Sequence, residues 1–295
     1  MDSNHSVVKT IFYTSLALLA FAANSVLCRL ALGAGAIDAA SFTVIRLLSG
    51  VIILLVIIKM ANHKTSSPLQ NGSWFASLML FLYATAFSFA YITLDTATGA
   101  LILFGSVQIT MVLLSLISGN RLHISEWLGV FIAFAGFVYL MLPEITMPSI
   151  NGFLLMSLAG IAWGIYTLIG RGANNPLIDT GDNFIRTIPL VLILLVITVK
   201  NANYSSEGIL LAVLSGGIAS GMGYTVWYLA LRGLSATQAA AVQLLVPVIA
   251  ALGGVIFISE TITLRLMVSA SIMLGGIFLM ILGRYKFFSK YKFFK

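Results

Sequence analysis

Charge is scarce in this sequence: Asp, Glu, Lys and Arg make up only 8% of 295 residues, against about 25% in an ordinary soluble domain. With 60% of its residues hydrophobic, the chain has too little polar material to cover a water-facing surface, which implies an integral membrane protein. Cysteine is almost missing: Cys28 stands alone, so no disulfide closes within the chain and no thiol pair or zinc cluster exists. The three histidines, His5, His63 and His123, fall at the terminus or in loops and supply no metal or proton-relay site at membrane depth. Acid is absent from the middle of every apolar stretch; Asp38, Asp95, Glu126, Glu144, Glu207 and Glu260 sit at ends or in loops, so a buried carboxylate relay is not expected. No Walker loop, nucleophile elbow or metalloprotease motif is present. The chain therefore reads as no enzyme, with no cofactor and no metal.

What is present is a succession of apolar stretches long enough to cross about 30 Å of hydrocarbon at 1.5 Å per residue. Ten are counted, at roughly 8–31, 39–60, 74–94, 97–118, 125–142, 151–170, 182–200, 208–231, 235–258 and 263–283. The breaks between them, such as Asn62 to Pro68, Ser118 to Arg121 and Gly172 to Pro176, carry the Gly, Pro and Asn that end helices. In lipid each backbone amide has to be satisfied within its own helix, so the fold class is all-α, a ten-helix bundle. The first stretch runs past Asn24 and Cys28 to Arg29 without a small-residue cleavage site, and reads as a retained helix rather than a signal peptide.

Positive charge is unevenly shared between the two sets of connections. Lys9, Lys59, Lys64, Arg121, Arg171, Arg232 and the tail residues Arg284, Lys286, Lys290, Lys292 and Lys295 fall on one side; Arg29, Lys200 and Arg265 fall on the other. By the positive-inside rule both termini are expected in the cytoplasm of a cell-membrane protein. That asymmetry accounts for the net charge of +7 without nucleic acid as a partner. The tail from Tyr285 to Lys295 alternates basic and aromatic residues, a composition that suits the lipid headgroup layer.

The chain also repeats itself at an offset of 139 to 140 residues. Leu54-Leu55-Val56-Ile57 recurs as Leu194 to Ile197, Ile45-Arg46 as Ile185-Arg186, and Ala97-Thr98 as Ala236-Thr237. Residues 1–145 and 146–284 thus form two five-helix repeats, followed by the tail 285–295. Five is odd, so with both termini on one side the second repeat enters the membrane inverted relative to the first, an arrangement that generates two equivalent gates about one site.

This pattern resembles the drug/metabolite transporter superfamily, in its ten-helix form built from two EamA repeats. The resemblance rests on a polar or aromatic break in the first helix of each half (Asn24-Ser25; Trp163-Gly164), an arginine early in the second (Arg46; Arg186) and an aromatic third helix. Its most specific part is the run from Leu234 through Gln243, Pro247, Gly253-Gly254 and Ser259-Glu260. In the first half Gln108 takes the place of Pro247 and Arg121 that of Glu260. The resemblance implies a secondary transporter, usually an exporter, of small metabolites such as amino acids, with a central cavity lined by the first, third, fourth, sixth, eighth and ninth helices.

Three sets of residues are the candidate substrate site. Arg46 and Arg186 are cations inside apolar helices; they fit either a bidentate hold on a substrate carboxylate or a structural role, snorkelling or pinning helix ends. Asn24, Gln108 and Gln243 place amides inside helices, where each needs a partner on another helix or on a ligand; the proline at 247 frees the Gln243 carbonyl. The aromatic set is Tyr83 and Tyr91, Trp163 and Tyr166, and Tyr224, Trp227 and Tyr228, able to pack only or to face a solute. The expected function is export or exchange of a small amphipathic metabolite, an amino acid or related organic acid. Export of lipophilic drugs or cations, and a membrane scaffold without transport, remain as the alternatives.

Overall fold

In the computed structural model the described residues are 7–61, 72–117, 124–140, 148–171, 173–234, 239, 242–243 and 245–291. His5, His63, His123, Lys64, Arg121, Glu144, Lys292 and Lys295 lie outside them. The chain is all-α: ten helical rods with no strand among the described residues beyond one isolated bridge between Ile37 and Tyr204. They are α1 (Val7–Gly33), α2 (Ala39–Met60), α3 (Trp74–Ala90), α4 (Thr96–Ile117), α5 (Ile124–Leu140), α6 (Ile150–Gly170), α7 (Pro176–Asn201), α8 (Ser206–Leu231), α9 (Leu245–Ile258) and α10 (Leu264–Tyr291). Six are long and apolar enough to cross a membrane, namely α1, α2, α4 (over Thr96–Leu114), α6, α7 and α8.

Helix starts follow side-chain chemistry. Asp38, Ser73, Ser149 and Ser205 each precede a rod and accept a hydrogen bond from the backbone amide three residues on, which satisfies a donor that the helix itself leaves unpaired. The same rule moves the start of α7. Asn175 caps it and Pro176 occupies its first turn, where a missing N–H costs nothing. The helix therefore begins six residues before the position expected from hydropathy, so Asp179 falls inside it rather than before it and Asp182 lies two turns in rather than at its first residue. Asp182 is 4% exposed, so one acid does lie within a buried turn of this rod.

Two rods are irregular. α7 breaks at Thr187, between Pro176–Arg186 and Ile188–Thr198; Pro189 has no N–H to offer the Ile185 carbonyl. α8 is α-helical over Ser206–Val213, π-helical over Leu214–Met222, and α-helical again over Gly223–Leu231. π-turns inside α-helices concentrate at functional sites.

α5 and α10 pack on each other to one side. Gly276 lies so close to the Gly129 carbonyl and the Ala133 amide that a Cβ would collide with both, the small-residue packing that lipid favours. The other eight rods form the central bundle. α1 runs between α8, α9 and α4, and α6 packs on α3 and α4, so the middle of the bundle is where α1, α2, α3, α6 and α8 meet.

Candidate functional site

At that meeting point lies Arg46, which is 1% exposed. Its Nε donates to Ser220 Oγ at 3.2 Å, and one terminal nitrogen donates to Tyr224 Oη at 3.0 Å and Tyr83 Oη at 3.2 Å. The guanidinium also stands 4.9 Å from the Phe87 ring centroid and 5.2 Å from that of Tyr83, within range of a cation–π attraction. Asn24 extends the cluster: its Nδ2 donates to Tyr83 Oη at 3.2 Å, and its Oδ1 accepts the Ser215 hydroxyl. The π-helical stretch supplies both serines. Gly216 within it lies against the Arg46 carbonyl so closely that any side chain would collide; α8 reaches Arg46 because position 216 has none.

This cation has no acid beside it. Asp95 and Glu260 are held by Arg29, and the ionisable groups facing Arg46 are Tyr224, Tyr83 and Cys28. Its Nη1 makes no hydrogen bond. Burying an unpaired guanidinium costs on the order of several kcal/mol, so this group calls for a partner of opposite charge.

Next to it the rings form a cage. Trp163 packs on Tyr224 at 4.6 Å, Tyr83 at 5.0 Å, Phe21 at 5.5 Å and Tyr166 at 5.6 Å between centroids. Phe21 in turn meets Trp227 edge-on at 5.5 Å. With the rings in contact, a ligand enters only by parting them.

Seven of the twelve candidate residues thus come together: Asn24, Arg46, Tyr83, Trp163, Tyr166, Tyr224 and Trp227. The two remaining amides and the second arginine stand elsewhere. Arg186 ends the first segment of α7 and lies over the Trp74 ring at 5.7 Å. Gln243 donates to the Ala239 carbonyl one turn back in its own helix, and its Oε1 is buried without a partner. Gln108 is buried on α4. Of the further aromatics, Tyr91 packs edge-on to Phe87 at 4.8 Å, and Tyr228 donates to the Tyr166 carbonyl at 3.3 Å.

Sequence reasoning missed Phe21, Phe87, Ser215 and Ser220, which carry no signal that separates them from ordinary helix packing. It also passed over Arg29, although a cation one turn from the end of an apolar helix is a visible signal. Arg29 bonds Asp95 at 3.2 Å and Glu260 at 3.3 Å, and donates to the Tyr91 carbonyl at 3.2 Å. Both Glu260 oxygens also accept the Thr96 amide, at 2.9 and 3.0 Å. Ser259 adopts a left-handed φ of 58° and turns the chain back, and the missing Cβ of Gly254 leaves the space that the Glu260 carboxylate fills. This latch ties α1 to the α3–α4 and α9–α10 turns, beside a cavity of about 290 Å³ that Asp95, Thr98, Glu260 and Arg265 help to line.

The opposite end is closed differently. The Ser73 amide donates to Asn183 Oδ1 at 2.9 Å and the Gly72 amide to Asp182 at 3.4 Å, which tie the start of α3 to α7. Arg232 donates to the Asn174 carbonyl at 2.5 Å. Here the contacts are backbone amides on Asn183 and Asp182 and a guanidinium on a backbone carbonyl. The described residues hold no group of three His, Cys, Asp or Glu able to bind a metal.

Comparison with known proteins agrees with this architecture. The profile of the EamA-like transporter family matches residues 150–282. An uncharacterized protein of Pseudomonas aeruginosa is 46% identical over 276 residues, 94% of this chain and 96% of that relative. Two uncharacterized transporters of Archaeoglobus fulgidus are 28% identical over 59% of the chain and 63% of the relative, and 26% identical over 66% and 70%. A crystal structure shares the fold at a TM-score of 0.65 and 16% identity, covering 94% of this chain and 98% of that one. An all-helical bundle with six helices long and apolar enough to cross a membrane agrees with the matched profile and with the two transporters: the chain is a multi-pass membrane transporter of the EamA type, in the drug/metabolite transporter superfamily.

Proposed function

We propose that this transporter moves a small amphipathic metabolite, an amino acid or related organic acid, by alternating access, as an exporter or exchanger in the cell membrane. The observation that carries the reading is Arg46, a buried guanidinium with no acidic partner, set among the hydroxyls of Tyr83, Tyr224 and Ser220 and beside a cage of rings. Such a centre offers an anion a charged anchor and offers an apolar substituent a ring wall. The two repeats, 1–145 and 146–284, supply the moving halves, with both termini in the cytoplasm. The Arg29 latch then closes the outer end, and the Ser73–Asn183 contacts close the inner end.

The aromatic cage also favours a lipophilic drug or cation, but a cation would have to approach Arg46 against like charge. Gln108, Gln243 and Arg186 belong to this reading as residues met by the substrate on its way to or from the centre.

Reconstitution into liposomes tests it. Saturable exchange of a radiolabelled metabolite, competed by unlabelled solute and lost in Arg46→Gln at equal insertion, is the expected result. A protein that inserts correctly and carries no saturable flux across a broad metabolite panel would be a scaffold, and the reading would fall.

A further inference from the structure

The hydrogen bonds of the central cluster can be counted donor by donor, and the count does not balance. Tyr83 Oη accepts from Asn24 and from Arg46, and its own proton meets no acceptor among the cluster's hydrogen bonds. Ser220 Oγ accepts from Arg46 and Tyr224, so its proton is left over too. Arg46 Nη1 has two N–H groups and no partner, and the fully buried Trp227 Nε1 has a third such donor unused. The centre therefore holds unused N–H donors and one positive charge, with no carboxylate among its hydrogen bonds.

Acids are absent from the cluster's hydrogen bonds as well. Glu260 and Asp95 are held by Arg29 at one end. Asp182 faces the Gly72 amide at the other end, where Asp179 lines a separate cavity with Ser73 and Asn183. A solute's ammonium group placed in the cluster would find no carboxylate among these hydrogen bonds and would stand beside Arg46.

We propose that the substrate is a flat or aromatic monocarboxylate without an ammonium group, its carboxylate held by Arg46 Nη1 and Tyr83 Oη and its apolar part among Phe21, Trp163 and Trp227. This rests on the transporter reading above and narrows it from amino or organic acids to organic acids alone. A single carboxylate takes two to four hydrogen bonds and supplies one negative charge, which matches both the donor surplus and the uncompensated guanidinium. The rings supply the remaining affinity through apolar contact, and their number selects against small hydrophilic anions.

A matched series on one carbon skeleton tests the charge rule: 3-phenylpropionate, phenylalanine, phenethylamine and 3-phenylpropanol, with 4-methylpentanoate, leucine and isopentylamine as a second skeleton. Binding to the purified protein in nanodiscs is read by thermal shift and by quenching of tryptophan fluorescence. Each acid should bind at least about tenfold more tightly than its amino acid, and the amines and the alcohol should be weakest. Arg46→Gln should weaken the acids by about 10- to 100-fold and abolish the acid preference. Tyr83→Phe, which removes one hydroxyl and keeps the ring, should weaken the acids about fivefold at some cost in melting temperature but with the protein still inserted; this keeps the test decisive if Arg46→Gln does not fold. An amino acid or amine that binds as well as its acid, or silence from every acid in both series, overturns the proposal. Saturable flux of some other solute by the same protein would then leave the transporter reading standing, and no flux at all would remove both.

Discussion

The two ends of the bundle are closed by different chemistry. At one, Arg29 holds Asp95 and Glu260 while Glu260 holds the Thr96 amide; at the other, Ser73 and Gly72 amides meet Asn183 and Asp182, and Arg232 meets a backbone carbonyl. Charge-assisted hydrogen bonds are about twice as strong as neutral ones, and the guanidinium and Glu260 carboxylate are largely sheltered, with side chains 20% and 11% exposed. If the halves are related by an inverted repeat, their ends need not be equal in energy, and here they are not. On these contacts the Arg29 end is expected to be the harder one to open.

Removing Arg29 gives the sharpest break of that difference. Arg29→Ala leaves Glu260 beside Gly254 with only the Thr96 amide, which should favour the state open at that end by about 2 to 3 kcal/mol. In a Cys28→Ala background, a cysteine introduced at Ala97 in the cavity wall should then react with a membrane-impermeant maleimide at least about tenfold faster; an unchanged rate would show that the latch does not govern access. At the other end, Asn183→Ala removes one neutral acceptor from the Ser73 amide, worth about 1 kcal/mol. A cysteine at Ala76 should gain only about fivefold in reactivity, and a gain equal to that of the Arg29 variant would erase the comparison.

Between the ends, Gly216→Ala sharpens the role of the centre. A methyl there meets the Arg46 carbonyl, so α8 has to move off α2, and the melting temperature should drop together with binding of any central ligand. Overpacking of this kind costs about 1 to 3 kcal/mol. Normal stability with normal affinity would mean that the two helices are not held at this spacing.

The smallest effect belongs to Asp38. Burial raises its pKa, but hydrogen bonds from Ser41, Asn203 and Ala40 outweigh that and hold the carboxyl below its ordinary value. A group of lowered pKa adds stability at pH values above its unfolded pKa and loses it as pH falls through the folded one. The wild-type protein should therefore lose a small increment of thermal stability on acidification below the ordinary carboxylate range. Asp38→Asn should lose that increment at neutral pH and show a flatter acid limb; identical limbs would remove Asp38 from the account.

What could be read from the sequence follows from where polarity stands out against lipid. Arg46 and Asn24 were visible because an ionisable or amide group inside an apolar run needs a reason, and the rods themselves were visible as apolar length. The start of α7 was not, because its first turns, from Pro176 to Asp182, are amphipathic and fail a hydropathy threshold; the cap Asn175 and Pro176 marked the start, and the same Asn-Pro pair reads equally well as a terminator. Arg29 and Glu260 each looked like an ordinary charge near a helix end, 231 positions apart, and only the fold puts them in contact. Likewise nothing in the composition of Leu214–Met222 separates a π-turn from an α-turn, since the difference lies in which carbonyl each amide meets.

That stretch has a consequence for how motion is geared. An α-helix turns by about 100° per residue, and a π-turn stores one residue beyond the α-helical count. Were Leu214–Met222 to tighten to α-helical pairing, everything beyond it would rotate by about one residue's angle while Ser206–Val213 stayed in place. Tyr224 and Trp227 would swing away from Arg46 and Phe21 together, like teeth on one wheel, and the cage would part without any rod having to tilt.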